Sequence, residues 1–321
     1  MKDKEYEFFS NIQTTEIEWL WYPYIPYGKL TVLQGDPGDG KSTFILNVAA
    51  RLTKGEPMPD GFKTSGAYHV IYQCAEDNPA DTIKPRLLAA GADCEKVAFI
   101  VNNDMSLTLD DARIEATVRD LGARLLIFDP LQSFISQDGD MHSISRMRNL
   151  LGKLAAMAEK YKCAVVMIGH MNKTNAGKNL YRGLGSIDIA AIARSVLMIE
   201  RDPDSPEIRY MYPIKTSLAK EGSGISFRIA MNGIEYIDIC RRSVESIVQS
   251  CRNSKRESCA SLLTLLLKDG ERRSSDIMLL MEAEGISART VNAVKKEMGI
   301  RSFRKKDIWY WDLCEGEMKD G

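Results

Sequence analysis

The stretch Leu30-Thr31-Val32-Leu33-Gln34-Gly35-Asp36-Pro37-Gly38-Asp39-Gly40-Lys41-Ser42-Thr43 decides how the rest of the chain is read. Its first five residues form an apolar run of strand length. A glycine-rich turn follows, and then a helical pattern over Thr43–Leu52. Gly35 to Ser42 fit G-x-x-x-x-G-K-[ST]. In that pattern glycines turn backbone N–H groups inward around phosphates, and the helix N-terminus adds a favourable dipole. Residues Gly35, Asp36, Pro37, Gly38, Asp39, Gly40, Lys41, Ser42 and Thr43 are therefore the expected nucleotide cradle. Lys41 is set to meet the β- and γ-phosphates and Ser42 to ligate Mg²⁺.

Working outward, acids at strand ends separate a hydrolytic site from a kinase-like one. Leu125-Leu126-Ile127-Phe128-Asp129 is an apolar strand ending in a carboxylate, which places Asp129 beside the Mg²⁺. Glu76 follows the apolar run Val70–Cys74 and can orient and deprotonate an attacking water, although the adjacent Asp77 competes for that role. No residue pair reads guanine, so ATP is the expected nucleotide. His170 lies just past the run Ala164–Gly169. A polar group there can sense the γ-phosphate, and a structural histidine is the alternative.

Strand-like runs at Leu30–Gln34, Ala67–Gln73, Val97–Val101, Leu125–Asp129 and Ala164–Ile168 alternate with helical periodicity, as in Ala112–Leu121 and Ser145–Tyr161. That rhythm predicts an α/β fold with a mostly parallel sheet covered by helices on both faces. Four short β-rich runs, Ser195–Ile199, Ile208–Ile214, Ile225–Ile229 and Ile234–Ile239, read as antiparallel additions at its edge. Residues 1–240 are thus expected to form one domain and the polar residues 241–257 a linker. Residues 258–314 form a second domain: helices at Ser258–Lys268, Ser274–Glu284 and Ser287–Met298, then a hairpin turning at Lys305-Lys306-Asp307. This is the order of a winged helix-turn-helix.

Composition narrows the field. The net charge of −1 gives no bulk attraction to nucleic acid or membranes, so any such affinity must be local. No run approaches the ~18 apolar residues of a spanning helix, and the charged start Met1-Lys2-Asp3-Lys4-Glu5 lacks a signal-peptide core. The seven cysteines are scattered with no C-x-x-C pair, which reads as reduced thiols in a cytoplasmic protein rather than a zinc site. From Arg252 to Lys306 there are 13 Lys and Arg against 7 Asp and Glu. The positive charge therefore gathers where duplex contact is expected.

Several segments occur in a familiar order: Gly35–Thr43, Cys74-Ala75-Glu76-Asp77, Asp129-Pro130-Leu131, Gly169-His170-Met171-Asn172-Lys173, Tyr181-Arg182-Gly183-Leu184-Gly185-Ser186, Ala193-Arg194-Ser195-Val196 and Pro213-Ile214-Lys215-Thr216. They resemble the RepA family of RecA-fold, AAA-type ATPases, hexameric replicative helicases of plasmids and mobile elements. The likeness is closer to prophage and integrative-element relatives that carry an extra C-terminal winged helix. It spans residues 15–240 and, in pattern, 258–314. The resemblance implies a RecA-like P-loop NTPase core that uses ATP and Mg²⁺. Glu76 takes the place of the catalytic glutamate, and His170 that of the histidine coupling the γ-phosphate to DNA loops. Arg194 takes the place of the arginine reaching a neighbour's ATP, with Lys215 as its basic companion. DnaB-type rings carry Lys-x-Arg at that strand, where Ser217 stands here.

For DNA, the third helix of the winged unit offers Arg289, Asn292, Lys295 and Lys296, and the wing offers Arg304, Lys305 and Lys306. A protein-docking role for that unit, through Trp309, Tyr310 and Trp311, is the alternative. Residues 171–181, with Lys173 and Lys178, are basic and glycine-containing, as a loop lining a central channel for single-stranded DNA would be. The expectation is an ATP-driven DNA motor in a homo-hexamer. A replication initiator, helicase loader or DNA-binding regulator without unwinding activity is the competing reading.

Overall fold

The computed structural model describes residues 6–101, 106–135, 144–170, 187–202, 205–220, 222–230, 233–240, 244–284 and 286–313. A small hairpin, β1 (Trp19–Trp21) and β2 (Ile25–Pro26), leads into β3 (Leu30–Gly35) and α1 (Lys41–Lys54). Then come β4 (Val70–Cys74), α2 (Lys84–Ala89), β5 (Val97–Ala98), α3 (Ala112–Leu121), β6 (Leu125–Asp129), α4 (Ile144–Lys160), β7 (Ala164–His170) and α5 (Ile187–Ile192). The sheet is completed by β8 (Ser195–Arg201), β9 (Ile208–Thr216), β10 (Gly224–Ala230) and β11 (Gly233–Cys240).

These strands form one nine-stranded sheet in the order β11-β10-β9-β8-β3-β7-β6-β4-β5. β8, β3, β7, β6, β4 and β5 run parallel, and β9, β10 and β11 antiparallel. Burial on both faces explains why the central strands read as continuous apolar runs. Successive residues of β6 alternate between two cores: Leu125 and Ile127 pack with α1 residues such as Phe44 and Val48, while Leu126 and Phe128 pack with Val118 of α3 and Leu154 of α4. This is the RecA-like α/β core.

The structure departs from expectation at β8. It was expected among the antiparallel additions, but it lies parallel beside β3 with Thr31 opposite Ser195, and reversal begins only at β9. The return through α5 brings the chain back to the N-terminal edge of the sheet, so β8 must run with β3.

Beyond the sheet, helix α6 (Val244–Leu267) extends N-terminally past the expected Ser258 start and includes most of the stretch read as a linker. Polarity at 244–257 suggested a linker, but that segment contains neither Gly nor Pro to stop a helix. Then follow β12 (Arg272–Arg273), α7 (Ser274–Ala283), α8 (Ala288–Glu297), β13 (Arg301–Lys305) and β14 (Ile308–Asp312), the strands pairing in the order β12-β14-β13. Ser287 caps α8 by accepting from the Thr290 N–H at 3.3 Å. Lys306 and Asp307 both have positive φ, 45° and 66°, the geometry that closes a two-residue hairpin loop. Cys259, Leu263, Ile277, Met281, Val291 and Trp311 make a separate small core. Trp311 fills that core, whereas Trp309 is 53% exposed.

Candidate active site

Parallel register brings the chemical groups to one edge of the sheet. Gly35 at the end of β3 lies opposite His170 on β7, and Cys74 at the end of β4 lies opposite Asp129 on β6. Two residues past Cys74, Glu76 is exposed at the same edge. The Ala75 N–H donates to the Asp129 carbonyl at 3.3 Å, tying that turn to β6. Asp77, the competing acid, is engaged by Arg86 of α2 at 2.8 Å. The backbone of His170 belongs to β7, while Lys173 and Lys178 lie outside the described residues.

In the phosphate loop, glycine is demanded by space as well as by φ. A Cβ on Gly35 would lie 2.3 Å from the Ile199 carbonyl oxygen of β8, and one on Gly40 (φ 93°) would lie 2.6 Å from Ile229 Cδ1. The loop is therefore pressed against β8 and β10. Lys41, 4% exposed, donates from Nζ to the Gly35 and Asp36 carbonyls at 2.9 and 2.8 Å, and burial lowers its pKa. Asp39 accepts from the Asp36 N–H at 3.0 Å. Burial, reinforced by the Asp36 carboxylate, lifts Asp39 to about 6.

Asp129 is buried, and its Oδ2 accepts from the Tyr72 hydroxyl at 2.5 Å. Burial first, and then the Asp129 charge, push the Tyr72 hydroxyl far above its ordinary range, so it remains a donor. Asp129 carboxylate and Ser42 hydroxyl are hard oxygen donors of the kind Mg²⁺ takes.

Two groups that the sequence reading did not single out lie on the other side of the loop. Arg201 at the end of β8 donates to the Gly38 carbonyl at 2.7 Å, and its Nε is 3.7 Å from Asp39 Oδ1. Arg209, directly across from Arg201 on β9, packs against Gly40. Their signal is tertiary: nothing local marks them, because the pairing of β8 with β3 alone carries them to the loop.

Arg194 and Lys215 lie at the opposite edge. The Arg194 N–H donates to the Leu30 carbonyl at the start of β3, and Lys215 pairs with Val196 near the start of β8. Five residues of strand, roughly 17 Å, separate Leu30 from Gly35. Arg194 is exposed. The Lys215 ammonium donates to the carbonyls of Ala190, Ala191 and Ala193 at 2.7, 3.1 and 2.8 Å, closing the end of α5. Burial, and then the Arg194 charge, lower its pKa.

In the C-terminal unit, Arg289, Asn292 and Lys296 share the exposed face of α8, opposite buried Val291 and Val294. Lys295 instead bonds the Ser302 hydroxyl and lies 4.4 Å from the centre of the Trp311 ring. Arg304 pairs with Asp307 at 2.9 Å and Lys305 with Glu271, while Lys306 is exposed at the turn.

Residues 2–176 match a family described as an AAA domain. Among curated proteins, the DNA repair protein RadA of Mycobacterium tuberculosis is 26% identical over 152 residues, covering 46% of this chain and 28% of that protein. RadA of Streptococcus pneumoniae is 28% identical over 149 residues, covering 46% and 31%. The matched region thus spans less than a third of the length of these relatives. Among solved structures, a KaiC-like protein of Pyrococcus horikoshii superposes with a TM-score of 0.48 at 20% identity, covering 66% of this chain and 91% of that one. The RadB recombinase gives 0.47 at 17%, covering 67% and 93%.

Proposed function

This chain belongs to the AAA domain family, and from that premise we propose that it hydrolyses ATP as a DNA-associated motor of the RepA-like helicase kind, working as a homo-hexamer. The observation that carries the reading is the convergence of the Gly35–Ser42 loop, Asp129 and Glu76 on one sheet edge. Ser42 and Asp129 would hold Mg²⁺, which when bound neutralises phosphate charge. Lys41 would leave the Gly35 and Asp36 carbonyls for the β- and γ-phosphates. Glu76 would take the proton of the attacking water, and His170, on the strand next to β3, would register the γ-phosphate.

Arg194 is exposed and too far from its own loop to serve it, which supports its acting on a neighbour's nucleotide, whereas Lys215 would have to give up its bonds to the end of α5 to join it there. Similarity to proteins named for DNA repair supports the DNA-associated part. Lys173 and Lys178, outside the described residues, would contact single-stranded DNA in the ring. A second reading, an initiator or helicase loader that binds a duplex site, is favoured by the exposed Arg289, Asn292 and Lys296 face. There, the unit from α6 to β14 would act as a winged helix, with Lys295, Arg304, Lys305 and Lys306 flanking the contact.

Steady-state ATPase assays on size-fractionated full-length protein, with and without single- and double-stranded DNA, test both readings. Lys41→Ala is the control. Single-strand stimulation in a hexamer is the expected result. Stimulation confined to duplex favours the loader, and no ATPase above the Lys41→Ala level overturns both.

A further inference from the structure

The phosphate loop has two sides. Beyond β7, on one side, are the acids of β6 and β4; on the other are β8 and β9. Asp129 and Glu76 occupy the first side, where Mg²⁺ and the γ-phosphate belong under the reading above. The rest of the nucleotide must leave the loop elsewhere, and the second side presents two guanidinium groups.

Their bonding differs. Arg201 satisfies the loop itself, through the Gly38 carbonyl and the Asp39 carboxylate. Arg209 donates from one terminal nitrogen to the Glu207 carbonyl at 3.0 Å. Its Nε–H, however, is buried and has no acceptor among the described residues, and it lies 3.4 Å from where a Cβ on Gly40 would be. A buried donor without a partner costs free energy, all the more on a charged group, and an anion beside Gly40 would remove that cost. Two loop carboxylates, Asp36 and Asp39, also need cationic compensation before a polyphosphate can enter.

We propose that Arg201 and Arg209 form a nucleotide-holding pair acting within the subunit, Arg209 binding the phosphates that a nucleoside diphosphate retains and Arg201 keeping Asp39 from repelling them. The proposal rests on the loop being a nucleoside triphosphate site. It gives the pair a task separate from that of Arg194, since it concerns retention of nucleotide before and after hydrolysis. ATP and ADP should depend on the pair equally.

Calorimetric titration of full-length protein with ATP and with ADP, in Mg²⁺, tests this. Arg209→Gln is expected to weaken both nucleotides together by about tenfold or more, the loss of roughly one charge-assisted bond. Arg209→Lys keeps the charge without the Nε–H and should fall between Gln and wild type; it also guards against misfolding of the Gln variant. Wild-type affinity in the Lys variant, or a loss confined to ATP, overturns the proposal. A wild-type protein that binds neither nucleotide overturns the loop reading and the proposal with it; normal wild-type binding with an unaffected Gln variant overturns the proposal alone. Mixing Arg209→Gln with Lys41→Ala subunits should leave ATP turnover impaired. Recovery of turnover in the mixture overturns the within-subunit assignment.

Discussion

Asp39 sits where a cradle for polyphosphate would be expected to avoid negative charge. Its carboxyl titrates near 6 in the folded chain and near 3.8 otherwise. The folded state therefore holds a proton that the unfolded state has released. The resulting loss of stability grows as pH rises from about 3.8 to about 6 and is constant above that. Asp39→Asn keeps an oxygen for the Asp36 N–H and removes the charge. Thermal melts of the variant should gain ~1 kcal/mol, or roughly 2–4 °C, at pH 7, with the gain vanishing near pH 4. Tyr72→Phe is a different kind of change, because it strips the donor from Asp129 Oδ2. It should cut ATP turnover roughly tenfold while changing nucleotide affinity little, a split visible in kcat against binding constant. Neither Tyr72 nor Arg209 could be found from sequence. Lys41 and Asp129 were legible because a few consecutive residues define each pattern. Tyr72 is an ordinary strand aromatic until β4 pairs with β6 and brings it to Asp129, 57 residues along the chain.

Elements show the same division between local and long-range information. β3, β6 and β7 could be read as runs of apolar residues, since burial on both faces leaves no polar alternation. The direction of β8 could not, because it is set by how α5 returns the chain. The start of α6 is not legible because the polarity of its first turns resembles that of a linker. Hairpin β13–β14 was legible through its turn residues, and α8 through Ser287. At α5 one side chain from β9 closes the helix: Lys215 serves three carbonyls. Lys215→Met should lower stability by about 1–3 kcal/mol in denaturant titrations, before any effect on ATP is measured. Unchanged stability would mean that those three bonds contribute nothing to the fold.

For the whole molecule, the decisive arrangement is the separation of Arg194 from the loop along β3 and β8. With Arg194 serving a neighbour, ATP turnover per subunit should rise with protein concentration as assembly proceeds. Arg194→Ala should reduce turnover by several orders of magnitude while leaving ATP binding intact. Turnover independent of concentration, measured alongside light scattering, would count against it. Opposed edges also give the subunit a front and a back, and that limits its symmetry. A two-fold contact would have to hold both edges within one self-complementary patch, whereas a head-to-tail contact needs only one edge from each subunit. Under the proposed role of Arg194, head-to-tail contacts would close into a ring or continue as a filament. An open row of such subunits always has one terminal loop with no arginine facing it, and only ring closure removes that idle end.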